Sequence, residues 1–479
     1  RSPWGRKHDM APRNNDDAIT AAERKESKKQ ASTMLIDAAA DRELAAGEVT
    51  EWEKQKILAG NAKFHQLGWR RLALILVVEA VALGALSLPY CFSILGMFAG
   101  TVVSVFFGFL AIYAGHNVGA LKVKYPEIKS YADAGRVMFG RWGYELVYAI
   151  FFLELIFVSG SHCLTGTIAF KDLTNNGACS LVFGIVSAII LFLVSVPPSF
   201  AEMTILGYID FISIIAAIGI TIIATGVQAS ESAGGMSSIN WTWKPKDGVT
   251  AHEVFVAVVN VILAYTFTLC QFSFMDEMHT PTDYSKGVWT AGIIEIFIYT
   301  LTGTLVYAFV GVDVESPALL SGGPLISKIA FGVALPVIFI SGAIITQTAA
   351  RLIHGRIYAN RVERYVNTTR GWITWLLTVL IIVLVGWVIA EAIPFFSNLV
   401  ALISSLFNSG FALYLPGLMW FTLLREGPLL SRKNLVPLFI NGFMIAAGMV
   451  VLVGGTWASI KSIVDDYNAG TVGGSFTCS

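Results

Sequence analysis

Four carboxylates, Glu79, Glu154, Asp210 and Glu295, sit inside stretches that otherwise exclude charge. An unpaired charge at membrane depth costs at least about 2.5–3.5 kcal/mol, so an acid kept there is a functional candidate, and proton carriage is the chemistry open to it. A second feature lies beside Glu79. The apolar run 72–81 is interrupted by Gly84-Ala85-Leu86-Ser87-Leu88-Pro89, and hydrophobicity then resumes to Gly96. Freed backbone groups are tolerated at that depth only when buried in protein or lining a cavity. In membrane carriers such breaks turn half-helix N-termini towards an anion and unwound carbonyls towards a cation. These residues therefore point to a polar solute handled at mid-membrane.

The rest of the chain has to position them. With 479 residues, 55% hydrophobic and 14% charged, and a mean hydropathy of +0.66, it reads as an all-α polytopic membrane protein. Zero formal net charge gives no sign of a nucleic-acid partner. There is no Gly-rich nucleotide loop, metal triad or hydrolase nucleophile motif, so an enzyme is not expected, nor any cofactor beyond a coupling ion. The five cysteines lack metal-site spacing; Cys163 and Cys179 are candidates to meet near the outer surface, although connectivity is not readable from sequence.

Residues 1–69 carry 12 Lys/Arg and 11 Asp/Glu with no long apolar run, and read as a cytoplasmic, mostly mobile tail. Its lysines, Lys25, Lys28 and Lys29 among them, are candidates for regulatory or ubiquitin-ligase contacts, with a plain solvated tail as the alternative. Eleven spans follow, at roughly 70–97, 98–120, 144–169, 179–197, 203–227, 251–275, 287–311, 325–351, 371–391, 393–423 and 435–458, forming a transporter domain over 70–460. Lys and Arg gather before the first span and in loops 121–143, 352–370 and 424–434, which places the N-terminus in the cytoplasm. An odd number of spans leaves 461–479 as a short extracellular tail. The sequon Asn240-Trp241-Thr242 then lies outside and is expected to carry glycan, whereas Asn367-Thr368-Thr369 lies inside and stays bare.

A second break is expected in span six, where Thr266-Phe267-Thr268 sits about halfway through 251–275. It comes five spans after the first, so two matching five-span units would run in opposite directions, the inverted-repeat arrangement. Span six has no Gly or Pro at this point, so its unwinding rests on position alone. Standing by itself, Thr-Phe-Thr reads as helix packing.

Gly84-Ala85-Leu86-Ser87-Leu88-Pro89-Tyr90 in span one and Glu277-Met278-His279-Thr280-Pro281 after span six resemble the amino acid/auxin permease family over roughly 65–460. Within it the chain looks most like fungal neutral amino-acid permeases of the methyltryptophan-resistance type. The resemblance implies the five-plus-five inverted-repeat fold of the amino acid–polyamine–organocation superfamily, with broken helices one and six and one extra helix. It also implies secondary active uptake of amino acids, generally proton-driven in fungi.

For such a substrate the carboxylate would meet Ala82, Leu83, Gly84, Ala85 and Leu86, with Gly84 permitting close approach, beside the positive end of the half-helix that starts near Ser87. The ammonium would meet carbonyls of Tyr265, Thr266 and Phe267 and the Thr268 hydroxyl. Phe267, Phe272 and the segments 151–161 and 395–407 offer apolar surfaces for a side chain, which favours neutral substrates; core or lipid-facing packing is the commoner role for any single Phe. Asp210 lies about 10 Å inside span five, and in the implied fold span five adjoins spans one and eight. It is the leading candidate for proton carriage, with structural pairing to a neighbouring hydroxyl or amide as an equal alternative. Glu154 is a second candidate, and Glu79 a third or else an inner-gate residue. His162 is about 12 Å along the same helix from Glu154, too far for direct transfer. Ser341, Thr346 and Thr348 in span eight keep a sodium site open as the alternative, although hydroxyls also hold helices together. The expected function is a plasma-membrane symporter importing neutral aliphatic and aromatic amino acids, driven by protons. A sodium-coupled symporter, a non-transporting amino-acid sensor with the carrier fold, and a vacuolar location are the alternatives.

Overall fold

The computed structural model describes residues 67–469 apart from 233, 359 and 360, together with 476 and 478. The tail expected over 1–69, with its lysines, lies outside the described residues except for its last three. In chain order the helices are α1 (Trp69–Leu95), α2 (Met97–Lys124), α3 (Tyr131–Leu173), α4 (Ser180–Val194), α5 (Phe200–Glu231), α6 (Ala251–Ala264), α7 (Gln271–Asp276), α8 (Tyr284–Val310), α9 (Gly323–Ile357), α10 (Thr369–Ala392), α11 (Phe396–Leu424) and α12 (Leu435–Asn468). Among the described residues eight helices are each long and apolar enough to cross a membrane, and the bent α1 makes a ninth. The shorter α4 and α6 are apolar too. The protein is thus an all-α polytopic membrane protein.

Helices form here because a chain in hydrocarbon must satisfy its own backbone, and an α-helix does so within one segment. Their outer faces are covered with side chains that water would not tolerate: on α5, Ile205, Ile212 and Ile223 are 72%, 68% and 68% exposed. These surfaces contact lipid. Between helices, small residues set the approach. A Cβ on Gly160 would stand 2.7 Å from the Gly386 carbonyl oxygen, so α3 and α10 cross backbone to backbone, as membrane helices do where no hydrophobic force separates lipid from protein.

Two expectations need correction, and one segment gains a helical description. The loop expected at 121–143 contains a helical start: α3 begins at Tyr131 behind a capping box in which Ser130 and Asp133 satisfy each other's backbone N–H groups, and it kinks at Gly140 (φ 69°). The extracellular tail expected from 461 is helical to Asn468, because α12 runs on past the apolar stretch. Cys163 is not bridged to Cys179. It is buried in α3, its thiol 3.6 Å from the Gly184 carbonyl, and about 15 Å of helix separates it from the end of α3. Cys179, at the start of α4, pairs instead with Cys478, and the nearby Phe476 ring packs on Trp387 at 6.4 Å. Thiol alkylation of denatured, unreduced protein is therefore expected to modify Cys91, Cys163 and Cys270, with reduction adding Cys179 and Cys478. A peptide map showing Cys163 protected before reduction would contradict this pairing.

Candidate functional site

The two interrupted helices behave differently. α1 bends by 50° between 69–81 and 84–95, yet its backbone stays helical throughout. Pro89 supplies no N–H to the Ala85 carbonyl, and Ser87 Oγ donates to the Gly84 carbonyl at 3.1 Å, which weakens the helical ladder at the bend. The unwound segment expected over Ala82, Leu83, Gly84, Ala85 and Leu86 is therefore a bend in a continuous helix. The opened backbone is in span six, where 265–270 leave the helix between α6 and α7.

Without Gly or Pro, that opening is held by side chains from elsewhere. Tyr299 Oη donates to the Ala264 carbonyl at 2.8 Å. The Tyr131 hydroxyl lies 3.0 Å from the Thr268 carbonyl and 3.2 Å from that of Phe411. Asn408 Nδ2 donates to Thr266 Oγ1 at 2.5 Å, and the Cys270 N–H donates to Glu79 Oε1 at 3.0 Å. Tyr299, Tyr131 and Glu79 each take up a backbone group that a regular helix would have bonded internally, while Asn408 fixes the Thr266 side chain. Thr268 Oγ1 is buried and has no hydrogen-bond partner among the described residues.

The two segments meet at Gly84. A Cβ there would stand 2.7 Å from Tyr299 Oη and 2.9 Å from Ala264 Cα, so the absent side chain lets α1 touch the end of α6. The Tyr265 and Phe267 side chains turn towards α2: the Tyr265 hydroxyl is 2.9 Å from Ser104 Oγ, and the Phe267 ring is 3.1 Å from the Cβ position of Gly115. Phe267 thus packs on a helix rather than facing a gap between α3 and α11. Phe272 joins Tyr131 edge to face at 5.0 Å, and Phe151 and Phe411 complete the cluster. Phe157 and Phe407 come together at 5.4 Å, joining α3 to α11.

Sequence reading missed Tyr131, Tyr299, Asn408 and Phe411. The Ser130-x-x-Asp133 pattern was the available signal for Tyr131, since it marks a helix start inside the supposed loop. Asn408 and Phe411 lie in a π-type stretch of α11 over Ser404–Tyr414, a form of helix common at functional sites but without a sequence signature.

The acids also separate. Asp210, on α5, meets α9 and α1 through one hydroxyl: Ser341 Oγ is 2.9 Å from Asp210 Oδ2 and 2.7 Å from the Val78 carbonyl. That carbonyl lies one turn before the bend. Thr346 does not share this position. It faces α3, its hydroxyl 2.8 Å from Ser159 Oγ, while Thr348 donates to the Ile344 carbonyl of its own helix. Glu79 ties α1 to the opened segment. Glu154 and Glu295 are fully buried, and their carboxyl oxygens have no partner among the described residues. His162 bonds the Ile338 carbonyl at 2.8 Å and joins α3 to α9.

A cluster of ion pairs and backbone bonds lies beyond Glu79. Glu277 pairs with Arg351, whose guanidinium stacks 4.5 Å over the Phe200 ring. Leu67 takes a hydrogen bond from His279 N–H and gives one to the Glu277 carbonyl, at 3.1 and 2.9 Å. Lys122 holds Asp276 at 2.8 Å.

The family model for transmembrane amino acid transporter proteins matches residues 65–461. A Neurospora crassa protein named N amino acid transport system protein is 55% identical over 421 residues, which is 88% of this chain and 90% of that one. A Gibberella moniliformis transmembrane transporter is 27% identical over 91% of this chain and 93% of its own. The Arabidopsis thaliana amino acid transporter AVT1J is 25% identical over 79% and 88%.

Proposed function

This chain belongs to the transmembrane amino acid transporter family, and within that family we propose that it imports neutral amino acids by proton symport, with Asp210 carrying the proton. The carrying observation is the proton count around Ser341. A hydroxyl has one proton to donate. Donated to the Val78 carbonyl, it leaves Ser341 Oγ to accept, and Asp210 can be the donor only when protonated. Once Asp210 is ionised, Ser341 must turn to the carboxylate and release the carbonyl beside the bend of α1. Protonation of one group thereby changes what holds the bent helix.

Neutral substrates fit a site of backbone carbonyls, Thr266 and Thr268 hydroxyls and Phe rings without a buried basic side chain for a second carboxylate. The most similar relative described above carries amino acid transport in its name, which supports the substrate class. For the spans, α6 with α7 is read as one interrupted helix, and with α4 this gives eleven, arranged as two inverted units of five and one extra.

A plasma-membrane location with a cytoplasmic N-terminus and external C-terminus draws support from the basic loops and from Cys179–Cys478, since disulfides persist on the oxidising side of a membrane. Asn240 is exposed, its carbonyl bonded to Val312 N–H at 3.0 Å. Enzymatic deglycosylation is expected to remove a mass shift that maps to Asn240, and glycan on Asn367 would invert the orientation.

The deciding experiment is labelled uptake into proteoliposomes across a matrix of amino acids and ions. Alanine-, leucine- or phenylalanine-like substrates should accumulate with an inward proton gradient and no sodium. Accumulation that follows sodium at fixed pH favours an ion at Asp210, Ser341 and the Val78 carbonyl. No uptake with retained binding indicates a sensor.

A further inference from the structure

Between α2, α8 and α12 runs a groove of about 450 Å³ bounded by Phe106, Phe109, Ile112, His116, Trp289 and Ile440. Phe106, Phe109 and Trp289 are 46%, 53% and 48% exposed, and His116 is exposed as well, so the groove opens to the bilayer. His116 is the anomaly, because ionisable side chains within spans ordinarily face the protein interior. Its Nδ1 lies 3.3 Å from the Tyr284 hydroxyl, and its other ring nitrogen has no partner among the described residues. The depth of this polar end follows from packing. A Cβ on Gly119 would strike the Tyr284 ring, and one on Gly115 would stand 2.9 Å from Val288. His116 is therefore level with the first turn of α8, close to the Lys122 and Lys124 end of α2. Phe106 lies ten residues further in, about 15 Å deeper along α2.

We propose that this groove binds a sterol, with the sterol hydroxyl at His116 and Tyr284 and the fused rings against Phe106, Phe109 and Trp289. The bilayer supplies the occupant, so the choice is among lipids. A site of this size with an apolar wall and few polar groups suits one rigid ligand. No Lys or Arg lines it, which leaves a phospholipid headgroup without a cation. Its polar groups are neutral and sit towards one end, His116 and, about one turn deeper, Tyr113, whose hydroxyl already accepts from Asn441 Nδ2 at 2.7 Å; the aromatic slot beyond them complements an amphiphile whose one polar group is a hydroxyl.

The test is photolabelling of the full chain in phosphatidylcholine proteoliposomes with a radiolabelled diazirine sterol bearing a free 3-hydroxyl. Labelling should saturate, map to α2 around 106–116 and to Trp289, and be competed by unlabelled sterol but not by its 3-methyl ether. His116→Leu should weaken labelling by up to about tenfold, the worth of one hydrogen bond, and Trp289→Ala should also reduce it. The wild-type competition needs no variant to fold. Equal labelling of these residues by a diazirine phosphatidylcholine, crosslinking of 106–116 to a second copy of the chain, or unsaturable labelling spread over α4, α5 and α10 overturns the proposal.

Discussion

Asp210→Asn is expected to abolish proton-driven accumulation of amino acid while leaving exchange across the membrane intact. Asparagine can donate to Ser341 Oγ as a protonated aspartate would, so Ser341 keeps its bond to the Val78 carbonyl and the α1–α5–α9 junction survives. What is lost is the proton that could be released. A pH difference of one unit is worth about 1.4 kcal/mol per proton, or about tenfold accumulation. In proteoliposomes the wild type should approach that ratio, and the variant should stop at equal concentrations inside and out. Counterflow of labelled for unlabelled substrate, which needs no net proton movement, should continue. Accumulation retained in Asp210→Asn removes Asp210 as the obligatory carrier and passes the role to Glu154, Glu295 or Glu79. Ser341→Ala separates coupling from binding further, since it cuts the link to Val78 but leaves the carboxyl; it should allow substrate movement with a reduced accumulation ratio.

Gly84→Val is expected to remove transport of every amino acid and to lower the melting temperature. Even the first carbon of a side chain at 84 falls 2.9 Å from the Ala264 backbone and 2.7 Å from Tyr299 Oη. The backbone of α6 cannot step aside as a flexible side chain does, and overpacking of this kind costs about 1–3 kcal/mol or more. Displacing Tyr299 also costs its bond to the Ala264 carbonyl, which terminates α6. Gly84→Ala should show the same defect in milder form. If packing against Tyr299 is the cause, Tyr299→Phe in the Gly84→Ala background should recover part of the lost uptake and stability, a coupling that a double-mutant cycle measures. If Gly84 instead serves only to let a substrate carboxylate approach the backbone, the second substitution should give no recovery. Normal binding and stability in Gly84→Val would exclude both roles.

The amino-acid sequence by itself was enough to define a polytopic helical membrane protein, the approximate position of its long apolar segments, and the acids buried among them. These are one-dimensional properties. Hydrocarbon admits neither unpaired backbone nor casual charge, so composition along the chain has to record where the membrane is. The interruption near Gly84 was legible for a similar reason, because glycine and proline carry their backbone effects with them wherever they stand. Which helix opened was decided only in three dimensions. α1, with its Gly and Pro, bends and stays helical, whereas 265–270, with neither, is held open by Tyr131, Glu79, Tyr299 and Asn408. The partners of the acids and cysteines were decided in the same way. Glu79 and Cys270 are 191 residues apart, Asp210 and Ser341 131, and Cys179 and Cys478 299. No local pattern specifies such pairs; they exist because packed helices bring one face of each to a common point.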